Sequence, residues 1–101
     1  MSREDENIGP LTGVRVLDLT INVLGPVATQ ILGDLGAEVI KVETPSGDPM
    51  RLIGSSKTGM LGPFFQTTNR NKKSVVLDLK KIEEKNALLK IAGGCDVFVN
   101  N

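Results

Sequence analysis

The stretch GPVATQILGDLGAEVIKVE, residues 25–43, decides the fold. It reads as a helix opened by Gly25 and Pro26, a stop at Gly36, and a strand from Glu38 to Glu43. Proline at the first helical position gives up no hydrogen bond and presets φ, and a glycine just past the last turn takes the left-handed conformation that ends a helix. Val27, Ile31 and Leu35 recur at i, i+4 and i+8 with Ala28 and Leu32 beside them, so the spacing predicts an apolar helix face packed on a sheet. Upstream, VRVLDL (residues 14–19) follows Gly13 as an apolar run of strand length. Strand, helix and strand form a right-handed βαβ unit of about 30 residues, with the two strands parallel and adjacent.

Downstream, residues 44–73 are punctuated by Pro45, Gly47, Pro49, Gly54, Gly59, Gly62 and Pro63, leaving LGPFFQTTN (residues 61–69) as a possible short helix. A connection this long in a compact domain is a binding loop or lid, or else contains a further element. SVVLDL (residues 74–79) repeats the first strand's pattern. KKIEEKNALLKIAGG then reads as a helix with Ile82, Leu88, Leu89 and Ala92 on its apolar side and a stop at Gly93 and Gly94, and DVFVNN begins a fourth strand. The expected fold class is α/β, a Rossmann-like, mostly parallel open sheet. With 101 residues there is room for at most one domain. A sheet that ends on its fourth strand, with a face still to be covered, reads as a partial domain of a longer protein.

Composition narrows the function classes. Only three residues are aromatic, so the core must be built from Val, Ile, Leu and Ala, as in a parallel sheet covered by helices. Residues 1–50 carry three basic and eight acidic side chains, residues 51–101 nine basic and four acidic. The positive surplus in the second half suits a phosphorylated small ligand, although solvated helix faces produce the same asymmetry. Without an extreme pI or aromatic residues interleaved with basic ones, nucleic acid is not the expected partner. No apolar run reaches membrane length and the start MSREDENIGP has no signal-peptide core, so the expectation is a cytoplasmic protein without a membrane partner. The single cysteine, Cys95, reads as a small core side chain. The chain has no histidine, which excludes a His-assisted triad or His metal site built from these residues. No metal site is expected.

Glu43 raises a sharper question, because an acid at the end of a second Rossmann strand often holds the ribose of a dinucleotide. That role needs G-x-G-x-x-G between the first strand and the helix, and the turn here is TINVLGPVATQILG. Gly25 is present but the spaced glycines are missing. Glu43 therefore reads as structural, paired with a cation or capping backbone.

Four blocks, PLTGVRVLDLT, GPVATQILGDLGAEVIKVETPSGDPMR, FFQTTNRNKKSVVLDLK and DVFVNN, together resemble the N-terminal part of a family III CoA-transferase, the CaiB/BaiF family. The resemblance runs from Pro10 to Asn101. It implies that residues 1–101 are the N-terminal segment of a large Rossmann-like CoA-binding domain, with the rest of that domain and a small domain elsewhere in a longer chain. Two subunits would interlock as a homodimer. It implies as substrates an acyl-CoA and a carboxylic acid, with coenzyme A acting as substrate and no tightly bound cofactor. Transfer would run through an aspartyl covalent intermediate, and the nucleophilic aspartate would lie downstream, so no catalytic residue is expected here. An α-methylacyl-CoA racemase of the same scaffold, and a non-catalytic truncated fragment, are the alternatives.

The resemblance also implies a CoA-binding set. It comprises the loop Asn22, Val23 and Leu24, then Thr44 where the family often has arginine, then Leu77, Asp78, Leu79 and Lys80, and finally Asn101. Members commonly have a small residue where this chain has Leu24, and glutamate where it has Asn100. Arg70, Lys72 and Lys73 in NRNKKS could face phosphates or simply anchor a turn. Lys80, past a strand's C-terminal end, could offer its ammonium to a phosphate or be an ordinary first-turn lysine.

Overall fold

A computed structural model describes residues 9–52 and 69–101. Four strands, β1 (Arg15–Asp18), β2 (Glu38–Glu43), β3 (Lys72–Val76) and β4 (Val97–Val99), form one sheet in the order β3-β2-β1-β4, all parallel. Helix α1 (Leu24–Asp34) joins β1 to β2, a 3-10 turn (Pro49–Leu52) follows β2, and helix α2 (Ile82–Gly93) joins β3 to β4. Residues 61–68 of the possible helix LGPFFQTTN lie outside the described residues; Asn69 is described and buried.

The chain steps from β1 to β2 in one direction, and from β3 it returns past them to β4 on the other side of β1. Right-handed crossovers in opposite directions place their helices on opposite faces. Two cores result. Val16, Ala37 and Val39 pack with Leu32 of α1 on one face, while Leu17, Val42 and Leu77 pack with Ala87, Leu88, Ile91 and Ala92 of α2 on the other. The alternation of β1 and β2 side chains between the two faces accounts for this division.

Several expectations change in detail. Helix α1 begins at Leu24, so Pro26 occupies its third position and not the first; its missing N–H remains harmless because the first four helical amides have no intrahelical acceptor. Gly36 does stop the helix, at φ 108°. β3 starts two residues before Ser74 and ends at Val76, leaving Leu77 to Lys80 beyond the strand. In α2, Ile82 and Leu89 are exposed, and Ala87, Leu88, Ile91 and Ala92 form the packing side.

The largest departure concerns the side of α1 that meets the sheet. The Val27, Ile31, Leu35 stripe faces away, with Ile31 51% and Leu35 41% exposed, and Pro26, Thr29 and Gln30 are the buried positions. The reason lies beneath the helix. On this face the strands present Asp18, Lys41, Glu43 and Lys72 with their side chains buried. Asp18 takes from α1 the Thr29 hydroxyl, a polar partner that an isoleucine stripe lacks, while Lys72 reaches the Pro26 carbonyl.

Candidate functional site

In open α/β sheets ligands sit outside the carboxyl ends of the strands, where the winding direction reverses. Here that switch lies between β1 and β4. Four segments reach this edge: the β1–α1 loop, the turn after β2, the turn after β3, and the end of β4.

Beneath the edge lie three ion pairs among the described residues, Lys72 with Asp18 against α1, and Lys41 with Asp48 and Glu43 with Arg51 between β2 and the turn after it. Lys72 Nζ meets Asp18 Oδ2 at 2.9 Å, Lys41 Nζ meets Asp48 Oδ2 at 3.0 Å, and Arg51 Nη2 meets Glu43 Oε2 at 2.7 Å. The Asp18 carboxylate also accepts the Thr20 N–H and hydroxyl and, at 2.7 Å, the Thr29 hydroxyl. Burial raises the Asp18 pKa, but hydrogen bonds from Thr20, Thr29 and Lys72 outweigh it and hold the carboxyl below its ordinary value. Lys72 additionally donates to the Pro26 carbonyl at 3.0 Å and to Asn69 Oδ1 at 2.7 Å.

Glu43 is used up in the same way. Its Oε1 accepts Arg51 Nε at 2.9 Å and the Asp48 N–H at 3.1 Å; Oε2 accepts Arg51 Nη2 and, at 3.0 Å, the Ser74 hydroxyl. Burial pushes its pKa up, and these donors, Arg51 foremost, bring it below normal. No oxygen is left over for a ribose hydroxyl. This matches the structural reading of Glu43.

The β1–α1 loop has its backbone groups engaged one by one. Ile21 donates its N–H to Asn101 Oδ1 at 3.1 Å and accepts Asn101 Nδ2 at 3.0 Å, while Asn22 donates to Asp48 Oδ1 at 3.2 Å. Asn22 takes the left-handed conformation, φ 67°, which asparagine tolerates better than most residues. Helix α1 starts with no side-chain cap at Val23. Gly25 is needed for close approach: a β-carbon there would stand 2.6 Å from Thr20 Cβ and 2.7 Å from Thr20 Cγ2. Thr20 is itself tied to Asp18, so it cannot yield. Gly25→Ala is expected to lower stability by about 1–3 kcal/mol through overpacking, despite alanine's better helix propensity, and thermal unfolding of the intact protein checks it.

The predicted coenzyme set is distributed along this edge. Thr44, Leu77 and Leu79 line a cleft of about 150 Å3 together with Leu19, Ile21 and Asn100. Asn22 and Val23, which follow the lining residue Ile21 on the β1–α1 loop, and Leu24, the first residue of α1, are all exposed. Asp78 folds its own turn, its Oδ1 accepting the Lys80 N–H at 3.1 Å, and Lys80 is exposed beyond β3. Asn101 engages the loop backbone with both ends of its amide. Arg70 and Lys73 lie at the opposite, amino-terminal edge, where Arg70 pairs with Asp34 at 2.9 Å and Lys73 with Glu38 at 3.5 Å. A larger hollow of about 530 Å3 occurs at that amino edge, but each charge lining it is already ion-paired, Arg15 also with Glu38 at 3.3 Å and Lys72 with Asp18. Its size does not make it the site.

Lys72, read as facing phosphates or anchoring a turn, is an anchor, buried against Asp18, the Pro26 carbonyl and Asn69. Sequence reasoning missed the structural use of Asp18, Lys41 and Asp48. The signal was a charge set inside an otherwise apolar strand, as in VLDL and VIKVE.

A doubly wound parallel sheet, with an uncapped helix start and closely tied loops at its carboxyl edge, defines the Rossmann-like class of α/β folds. Within that class the chain belongs to CoA-transferase family III, whose family model matches residues 11–101. It is 48% identical over 96 residues to human succinyl-CoA:glutarate CoA-transferase, covering 94% of this chain and 22% of that protein. Succinyl-CoA:mesaconate CoA-transferase of Haloarcula hispanica is 41% identical over 98 residues, covering 93% and 25%. A crystal structure of a CaiB/BaiF family protein from Brucella suis superposes with a TM-score of 0.85 at 35% identity, over 92% of this chain and 26% of that one. The chain thus spans about a quarter of the length of these relatives.

Proposed function

We propose that residues 1–101 are the N-terminal segment of the large CoA-binding domain of an enzyme that moves CoA from an acyl-CoA to a carboxylic acid, the complete protein being an interlocked homodimer. The observation that carries this reading is the gathering of Asn22 to Leu24, Thr44, Leu77 to Lys80 and Asn101 at one carboxyl edge, in a chain whose relatives are named CoA-transferases. Uncapped helical amides and the Lys80 ammonium suit the phosphates of CoA, and the apolar cleft walls Leu77 and Leu79 suit its adenine.

The chemistry itself would fall to an aspartate outside these residues. Its carboxylate attacks the acyl-CoA thioester and expels CoA thiolate, giving a mixed anhydride. The thiolate attacks the aspartyl carbonyl of that anhydride and releases the donor acid, leaving an aspartyl-CoA thioester. The acceptor carboxylate and the returning thiolate then repeat both steps in reverse, and the aspartate is regenerated. One hard exchange is split into easier ones. Residues 1–101 contribute binding and orientation.

Lys80→Ala in the intact protein is expected to weaken CoA by about 1–2 kcal/mol, the scale of a charge-assisted contact at an exposed position. Titration calorimetry with CoA measures it. Unchanged affinity would remove Lys80 from the site, and an intact parent protein showing no thioester exchange with any carboxylate by mass spectrometry would remove the transferase reading.

A further inference from the structure

Lys41 and Asp48 are sealed from solvent, with side chains 1% and 0% exposed, and form a 3.0 Å ion pair. Taking two charges out of water costs more than their attraction commonly returns, so stability alone does not account for such a pair. What the pair holds is specific. Lys41 Nζ donates to the Thr20 carbonyl at 2.8 Å, and Asp48 Oδ1 accepts the Asn22 N–H at 3.2 Å as well as the Met50 N–H at 2.9 Å. Thr20 and Asn22 bracket Ile21, whose own N–H and C=O are taken by Asn101. Residues 20–22 are therefore gripped from the middle of β2, from the turn after β2 and from the end of β4. The direction of the first amides of α1 depends on the backbone of those three residues, one of which sits at φ 67°.

We propose that Lys41 and Asp48 are positioning residues for coenzyme binding, a buried ion pair that presets the β1–α1 loop so that the ligand need not order it. The inference rests on the CoA reading above. A loop ordered in advance removes a cost that binding would otherwise carry, so the pair acts on affinity through the backbone it holds. Asp48 borders the cleft, but its side chain is fully buried and its Oδ1 is taken by the Asn22 and Met50 amides.

The test is the double variant Lys41→Met with Asp48→Leu in the intact protein. Replacing a buried ion pair by apolar side chains of similar volume is commonly neutral for stability, whereas the bonds to Thr20 and Asn22 are lost. The expected result is a melting temperature close to the parent's, a CoA affinity by calorimetry at least tenfold weaker, and at least tenfold faster hydrogen exchange at the Ile21 and Asn22 amides. A purely structural pair would give parental affinity once stability is restored, and that result overturns the proposal. Exchange in the parent protein is a second measurement, independent of whether the variant folds. Asn22 is an exposed residue, and an amide exchanging there at the free-peptide rate would also overturn the presetting. A parent that binds no CoA sinks the coenzyme reading and this role with it, whereas normal binding with unchanged exchange in the variant sinks the positioning role alone.

Discussion

Asp18→Ala is expected to lower the unfolding free energy of the intact protein by about 3–5 kcal/mol, the usual cost of removing one member of a buried ion pair. The substitution strands the Lys72 ammonium, whose side chain is 2% exposed, without its counter-charge. It also takes away the acceptor for the Thr20 N–H, the Thr20 hydroxyl and the Thr29 hydroxyl. Denaturant unfolding of parent and variant gives the number, and a loss below about 1 kcal/mol would contradict the assignment. Replacing both partners, Asp18→Leu with Lys72→Met, is expected to recover the part due to the stranded ammonium and not the part due to the unpaired Thr20 and Thr29 donors. The pH dependence follows from the direction of the Asp18 shift. Its folded-state pKa is below the unfolded value, so the stability it contributes is present above about pH 4 and is lost as pH falls through the folded pKa. The parent should therefore weaken below about pH 4, and the Asp18→Ala variant should lack that part of the slope.

Glu43→Gln is expected to cost about 2–3 kcal/mol, the range for hydrogen bonds to charged groups left unmade in a protected site. Glutamine keeps the shape but offers one carbonyl oxygen where Glu43 uses two, and in either orientation its amide nitrogen would face an Arg51 donor, with the Asp48 N–H or the Ser74 hydroxyl beside it. Arg51 would lose its bidentate partner. Two readings of Glu43 separate here. Were it a ribose ligand, the variant would lose ligand affinity and keep its stability; a structural acid gives the reverse, and unfolding curves set beside CoA calorimetry distinguish them.

The order of elements and the parallel βαβ unit could be read from residues 25–43 because the signals involved are local. A glycine at a helix end, a proline in the first turn and an apolar run of strand length each act within a few residues of themselves. β2, Glu38–Glu43, occurs with its expected limits for that reason. The location of Thr44, Lys80 and Asn101 at one edge was also legible, since parallel strands joined by helices bring the residues after each strand to the same side.

Which face of α1 is buried was not legible. Hydrophobic periodicity points a helix at an apolar surface, but the surface beneath α1 includes Asp18, Lys41, Glu43 and Lys72, and the side chain of Lys72 meets Asp18 from 54 positions away in the chain. In sequence each of these is an isolated charge in or beside a strand, with nothing to say whether it faces water. Only the tertiary structure pairs them, and pairing decides the matter, because an unpaired buried charge costs more than exposing Ile31 and Leu35. The sequence alone thus determined the elements and the edge to which the candidate site residues are brought. The grip of Lys41, Asp48 and Asn101 on the β1–α1 loop arose only when segments far apart in the chain were closed against one another, since a hydrogen bond depends on distance in space and leaves no period in the sequence.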